Sequence, residues 1–147
     1  MKAWLQRVSE ASVAIGGERV AEIGPGYLVL LGVTHTDTVA DAEKIAERIC
    51  VVRLFEDAEG HMNRSLEETG GSVIVVSQFT LYADTSRGRR PGFSNAAPGP
   101  VAEPLYRRVV DALRARLGDG RVGTGRFGAD MQVALVNDGP VSVELLT

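Results

Sequence analysis

Two stretches of this chain are apolar wherever they carry a side chain: Tyr27-Leu28-Val29-Leu30-Leu31-Gly32-Val33 and Val73-Ile74-Val75-Val76. A strand with one wet face alternates polar and apolar residues, because successive side chains point to opposite sides. These two do not alternate. Each reads as a strand buried on both faces, and a fold that accepts them must cover both sides of its sheet.

The remaining segments sort around that pair. Trp4 to Val8 opens the chain as a strand. Ser12–Ile15 and Arg19–Ile23 flank Gly16-Gly17, a hairpin signal. Thr38 starts a helix in which Val39, Ala42, Ile45, Ala46 and Ile49 recur at helical spacing, with Asp37 or Thr38 able to cap its first turn. Val51 to Phe55 reads as a strand. Thr85 to Pro100, rich in proline and glycine, reads as a surface loop. A second helix follows to about Leu117, carrying Leu105, Val109, Leu113 and Leu117 every fourth position, with Gly118 as its C-cap. Asp130–Val136 and Val141–Leu145 are the last strands, joined through Asn137-Asp138-Gly139-Pro140. Two main helices among seven or so strands predict a single α/β or α+β domain spanning residues 1–147.

Composition excludes several classes. With 44% hydrophobic and 24% charged residues the chain is neither disordered nor fibrous. No apolar run approaches the roughly 18 residues of a membrane-spanning helix, and no signal peptide is expected from Met1-Lys2-Ala3-Trp4-Leu5-Gln6-Arg7. Cys50, the one cysteine, has no partner for a disulfide, which fits a reducing cytoplasm. The net charge of −3 argues against a generally basic nucleic-acid binder but leaves room for a local patch. Arg87, Arg89 and Arg90 are the clustered candidates for phosphate contacts.

The chemistry is less obvious. Only His35 and His61 are available, and no His-x-x-x-His or Cys-x-x-Cys spacing exists, so no metal or cofactor is expected. Gly123-x-Gly125-x-x-Gly128 matches a dinucleotide loop in letters only, since it does not join a strand to a long helix. The best candidate is Ser77-Gln78-Phe79-Thr80, where a buried strand turns polar at a sheet edge. Thr80 has no base beside it and no free N-terminal amine of its own, as a threonine nucleophile requires. On spacing alone, Asn137-Asp138-Gly139-Pro140 reads as a hairpin turn, with Pro140 able to take a cis bond.

Six segments taken together alter that reading. Met1-Lys2-Ala3-Trp4-Leu5-Gln6-Arg7-Val8 with Ala11-Ser12-Val13, Gly60-His61-Met62-Asn63, Ser77-Gln78-Phe79-Thr80-Leu81, Gly88-Arg89-Arg90-Pro91-Gly92-Phe93, Thr124-Gly125-Arg126-Phe127-Gly128-Ala129-Asp130-Met131 and Asn137-Asp138-Gly139-Pro140-Val141 resemble, in order, the D-aminoacyl-tRNA deacylases. The chain departs from the family's usual residues at His61, Gly92 and Ser142, outside the Ser-Gln-Phe-Thr and Gly-Pro positions. The resemblance implies a three-layer α/β/β fold with barrel-like sheets. It implies a cytoplasmic homodimer that takes the 3′ end of aminoacyl-tRNA, with no DNA or membrane partner. The expected reaction is hydrolysis of the ester of D-aminoacyl-tRNA, and of glycine mischarged on tRNA(Ala). Catalytic positions would be Ser77, Gln78, Phe79 and Thr80. Gly139-Pro140 would act as a Gly-cisPro filter inserted across the dimer against L-residues. Arg7 would support that pair, and Phe127 and Met131 would lie near the terminal adenosine.

Overall fold

The computed structural model describes residues 1–147. The chain forms eight strands and three α-helices: β1 (Lys2–Ile15), β2 (Glu18–Ile23), β3 (Gly26–Gly32), α1 (Val39–Val51), β4 (Arg53–Glu56), β5 (Met62–Ser65), α2 (Leu66–Thr69), β6 (Ser72–Ser77), α3 (Gly99–Leu117), β7 (Val122–Thr124) and β8 (Gln132–Leu146). It is a single α/β domain built on a nearly closed, barrel-like sheet.

β1 is the organiser. Along one edge its far half pairs antiparallel with β2 (Ala11 opposite Ile23) and its near half with β3 (Lys2 opposite Gly32). Along the other edge it pairs with β8 over nearly its whole length. β3 pairs parallel with β6, and β6 parallel with β7. The sheet then curls until β2 meets β7 without pairing: a Cβ added at Gly123 would stand 3.2 Å from that of Ala21.

The curl explains the two wholly apolar strands. Tyr27, Val29 and Leu31 of β3, with Val73 and Val75 of β6, face a core shared with α1 and α3. Leu28 and Ile74, with Val76, face the inside of the curl, where they meet Val8, Ala11, Val13 and Ile23. Helices, central sheet and the far wall of the curl make the three layers. Each face buries its own apolar row, so neither can carry polar residues.

Both principal helices fall where the periodicity puts them. Thr38 caps α1 in a reciprocal box: its hydroxyl accepts from the Asp41 N–H, and its own N–H donates to the Asp41 carboxylate at 2.9 Å. The Thr38 hydroxyl also donates to that carboxylate at 2.6 Å, and this bond, with the one from the Thr38 N–H, holds the Asp41 carboxyl below its ordinary range. α3 begins at Gly99, just before the expected loop ends, and Gly118 closes it.

Several local expectations are corrected. The first strand is one unbroken segment rather than two, because β8 covers it throughout. Val51 belongs to α1, and the strand after it starts at Arg53. β5 and the short α2 carry no apolar period and were not foreseen; β5 forms with β4 a separate two-stranded sheet. The Ser77–Leu81 segment is not strand throughout, because after Ser77 the chain turns into a 3₁₀ helix over Phe79–Tyr82. The last two expected strands are one, and Asn137–Pro140 is not a hairpin.

Gly26 shows how closely β3 and β6 approach. Its φ is 159°, and an added Cβ would lie 1.7 Å from the Ser72 carbonyl oxygen, a backbone atom that cannot swing aside. Gly26→Ala is expected to destabilise the fold by roughly 3 kcal/mol or more, lowering the melting temperature by about 10 °C for a chain of this size. Thermal denaturation followed by circular dichroism checks it, and an unchanged midpoint would contradict the packing described.

Candidate active site

Where β6 leaves the sheet, a cavity of about 560 Å³ opens between the sheet and the start of α3. That volume lies within the usual range for a small-molecule site. Its floor is apolar, formed by Leu31, Val33, Val76 and Ala102. Phe93 through Gly99 wall one side. This segment is fastened to the end of β3 by the Ala97 N–H donating to the Val33 carbonyl at 2.9 Å and the Thr34 hydroxyl donating to the Asn95 carbonyl at 2.6 Å. Ser77, Gln78 and Phe79 form the polar rim, and Phe127 and Met131 close the opposite side.

The rim is set by backbone geometry. The Gln78 N–H donates to the Leu31 carbonyl at 2.8 Å, the last bond of the parallel ladder. The chain then winds into its 3₁₀ turn, which packs against Gly32: an added Cβ there would meet the Gln78 carbonyl at 3.2 Å and the Tyr82 ring at 3.1 Å. The Gln78 side-chain amide donates to the Thr80 hydroxyl. Phe79 is exposed and meets Phe93 edge to face, with ring centroids 5.0 Å apart, at the cavity mouth.

Electrostatically the cavity is nearly neutral. Its only titratable side chains are Tyr106 and Asp130. Tyr106 is buried, donates its hydroxyl to the Val75 carbonyl at 2.9 Å, and is pushed up to about 12 by burial, opposed by the Arg114 charge. It remains a neutral phenol near pH 7. No histidine, lysine or cysteine lines the cavity, and its one carboxylate, Asp130, is solvent-exposed.

Gly139 and Pro140 lie elsewhere. Opposite the single residue Arg7, which sits between the pairs Gln6–Ser142 and Val8–Asn137, β8 spends Asp138, Gly139, Pro140 and Val141. The excess pushes the segment out as a wide bulge. The Gly139–Pro140 peptide bond is cis. Arg7, only 5% exposed, clamps the base of the bulge: its Nε donates to the Asp138 carbonyl at 3.0 Å and its Nη1 to the Leu54 carbonyl at 2.6 Å. The carboxylates of Asp138 and Glu56 stand 3.4 and 4.0 Å from its guanidinium.

The structure thus brings Ser77, Gln78, Phe79, Phe127 and Met131 around one cavity, with Thr80 just behind the rim. Arg7, Gly139 and Pro140 form a second cluster. Counting strands β6-β3-β1-β8, the two clusters are three spacings apart, roughly 14 Å along the sheet. Sequence reasoning missed Tyr106 and the small residues Ala96, Ala97 and Ala102. The one available signal was a tyrosine beside the aliphatic row of α3.

A barrel-like sheet carrying a cavity at the polar end of a buried parallel strand, and a clamped Gly-Pro bulge, belong to a fold shared with known proteins. The chain belongs to the D-Tyr-tRNA(Tyr) deacylase family, whose profile matches residues 4–146. It is 57% identical over 145 residues to a D-aminoacyl-tRNA deacylase of Chlorobaculum parvum, covering 99% of this chain and 97% of that one. It is 59% identical over 143 residues to the protein of the same name from Symbiobacterium thermophilum, covering 97% and 93%. Among solved structures it superposes with a TM-score of 0.95 and 40% identity on one named c-Myc DNA Unwinding Element Binding Protein, covering 100% of this chain and 99% of that one. A probable eukaryotic D-amino acid tRNA deacylase shares the fold with a TM-score of 0.84 at 18% identity, covering 98% and 97%.

Because Arg7 bonds two separate carbonyls through different nitrogens, a lysine cannot replace it. Arg7→Lys is expected to cost about 2–3 kcal/mol through carbonyls left short of donors and to loosen the bulge specifically. Hydrogen exchange checks this: the amides of Asp138, Gly139 and Val141 should exchange faster while those of β3 and β6 stay protected. Uniform acceleration across the sheet would argue against a local clamp.

Proposed function

We propose that the cavity hydrolyses the ester linking a D-amino acid to the 3′ end of tRNA, and that the Gly139-Pro140 bulge of a second copy of the chain completes it. The carrying observation is a largely apolar pocket with no histidine, lysine or cysteine, framed by the Ser77–Thr80 turn. An aminoacyl ester is activated by its own ammonium group, so it needs less acid–base help than an amide. Its tetrahedral oxyanion needs a donor instead. Phe79 and Thr80 head a helical turn, where backbone N–H groups have no partner within the helix, and one donor aimed at such an oxyanion is worth several kcal/mol. The neighbouring ribose 2′-hydroxyl supplies the remaining assistance. Phe127 and Met131 take the terminal adenosine, and no metal or cofactor enters the scheme. The setting is cytoplasmic translation.

The dimer follows from where the parts lie. The bulge is exposed and stands roughly 14 Å across the sheet from the cavity of its own chain, so it reaches a cavity only on a partner. β8, which carries it, is paired on one side alone and leaves Val136 and Leu146 exposed, an edge suited to a second copy.

Rejecting L-residues by ~10⁴-fold needs about 5.5 kcal/mol, more than the ~1–3 kcal/mol a lost apolar contact supplies. A backbone wedge that denies space to one side-chain direction can supply it by clash. Such a wedge selects by exclusion, and glycine offers nothing to exclude. D-Tyr-tRNA and glycyl-tRNA are therefore expected to be hydrolysed at comparable rates and L-Tyr-tRNA at least ~10³-fold more slowly, in parallel assays at equal enzyme. Glycine behaving like L-tyrosine would defeat exclusion as the mechanism. Hydrolysis of neither D-Tyr nor glycyl ester would defeat the function.

Thr80 holds Gln78 rather than attacking the ester. Thr80→Ala should keep measurable activity, losing ~10²-fold or less, and intact-mass spectrometry of the wild-type reaction should find no acyl adduct on Thr80. A stable adduct would make Thr80 a true nucleophile.

A further inference from the structure

A second groove runs beside the cavity, and no part of the scheme above uses it. One wall is the face of α3 carrying Glu103, Arg107, Asp111 and Arg114; the other is the chain from Thr124 to Phe127. The two hollows share a wall, the rings of Tyr106 and Phe127, whose centroids are 5.8 Å apart. Anything packed against Phe127 in the cavity has this groove as its neighbour.

The groove's charges are unevenly committed. Arg107 is engaged by Glu103 through both Nε (3.2 Å) and Nη2 (2.6 Å). The Asp111 carboxylate is felt by both Arg107 and Arg108. The guanidiniums of Arg114 and Arg126, in contrast, form no hydrogen bond or ion pair with the chain. Three guanidiniums against two carboxylates make the groove positive within a protein of net charge −3. Two uncommitted arginines facing each other across a narrow polar channel match a phosphodiester, which guanidinium donors grip in bidentate fashion.

We infer that this groove holds the RNA backbone immediately 5′ of the terminal nucleoside, with Arg114 and Arg126 contacting its last internucleotide phosphate. This rests on the reading that the cavity takes the 3′-terminal adenosine. An adenosine seated on Phe127 can send its 5′ side over the Tyr106–Phe127 ridge, where the two free cations meet the first phosphate. The exposed trio Arg87, Arg89 and Arg90 sits on the loop leading to Phe93, at the cavity's other border, and is left for more distant phosphates.

The test uses two small substrates that differ by that phosphate and the cytidine beyond it: D-Tyr esterified to the 3′ end of adenosine, and the same ester on the dinucleotide cytidylyl-adenosine. The wild-type enzyme is expected to favour the dinucleotide by about tenfold or more in kcat/KM. In the Arg114→Gln/Arg126→Gln variant that ratio should fall to within about twofold. For full-length D-Tyr-tRNA, losing the grip on that one phosphate should make the slope of log K against log salt shallower by about 0.7–0.9. Because the readout is a ratio within one preparation, partial damage to the fold does not mimic it. Arg126→Gln alone, at an exposed position, supplies a second and milder variant. A wild-type enzyme indifferent to the phosphate, a variant that keeps its preference, or equal losses on both substrates would each overturn the inference. If the wild type hydrolysed neither ester while remaining folded, the reading of the cavity itself would fall.

Discussion

Everything in this molecule hangs on the parallel pairing of β3 with β6. Both strands are buried on two faces, so they fix at once where the helices pack and how the sheet must curl to cover the other side. A parallel pair cannot be closed by a tight hairpin, so α1, β4, β5 and α2 are all spent on the crossing from β3 to β6. The pair also ends abruptly. Ladder bonding stops with the Gln78 N–H on Leu31, and the next residues must find other partners. The cavity lies at that end because the sheet does, in the position where open α/β sheets commonly bind ligands.

How much of this was legible in the sequence depends on the range of the interaction that decides each element. α1 and α3 were readable because a helix writes its burial into neighbouring turns, and Thr38 and Gly118 cap them with local chemistry. β3 and β6 were readable because burial on two faces erases alternation. The 3₁₀ turn at Phe79–Tyr82 was not, because it is imposed by close packing on Gly32, far away in sequence. The continuity of β8 was hidden for a related reason. Asn137-Asp138-Gly139-Pro140 carries every local sign of a hairpin, yet β1 pairs with the residues on both sides of it, and Arg7 fills the gap in register. A buried arginine that bonds a distant carbonyl leaves no periodic trace. Only the ordered set of motifs, each weak alone, pointed to the role of these residues.

The lack of a buried catalytic base in the cavity is then a consequence of its construction rather than a deficit. Its walls are the inner rows of a core, and a charged base there would have to be desolvated. Tyr106, the one phenol present, is committed to the Val75 carbonyl and raised out of the useful range. A site of this kind can act on a substrate that is already reactive, provided it fixes the position of the ester and supplies a donor for the oxyanion. With exposed Asp130 the only carboxylate along the cavity, selectivity is left mainly to shape.

Shape-based selection demands rigidity, and the chain places its rigid parts unevenly. The Ser77–Thr80 turn is seated on Gly32, and the Gly139–Pro140 bulge is clamped at its base by Arg7. Between them lie β3 and β1, with β8 paired to β1 on both sides of the bulge. On the proposed reading, one chain carries two half-sites, the cavity and the bulge. Selection by the backbone, as proposed, needs both held rigidly against each other, and an interface between copies would achieve that while leaving each half on its own stable scaffold. The uncommitted cations lie apart from both halves, on the helix side of the Tyr106–Phe127 ridge. On that inference, binding of the nucleic acid would be tuned through α3 without disturbing the geometry proposed to distinguish one face of an α-carbon from the other.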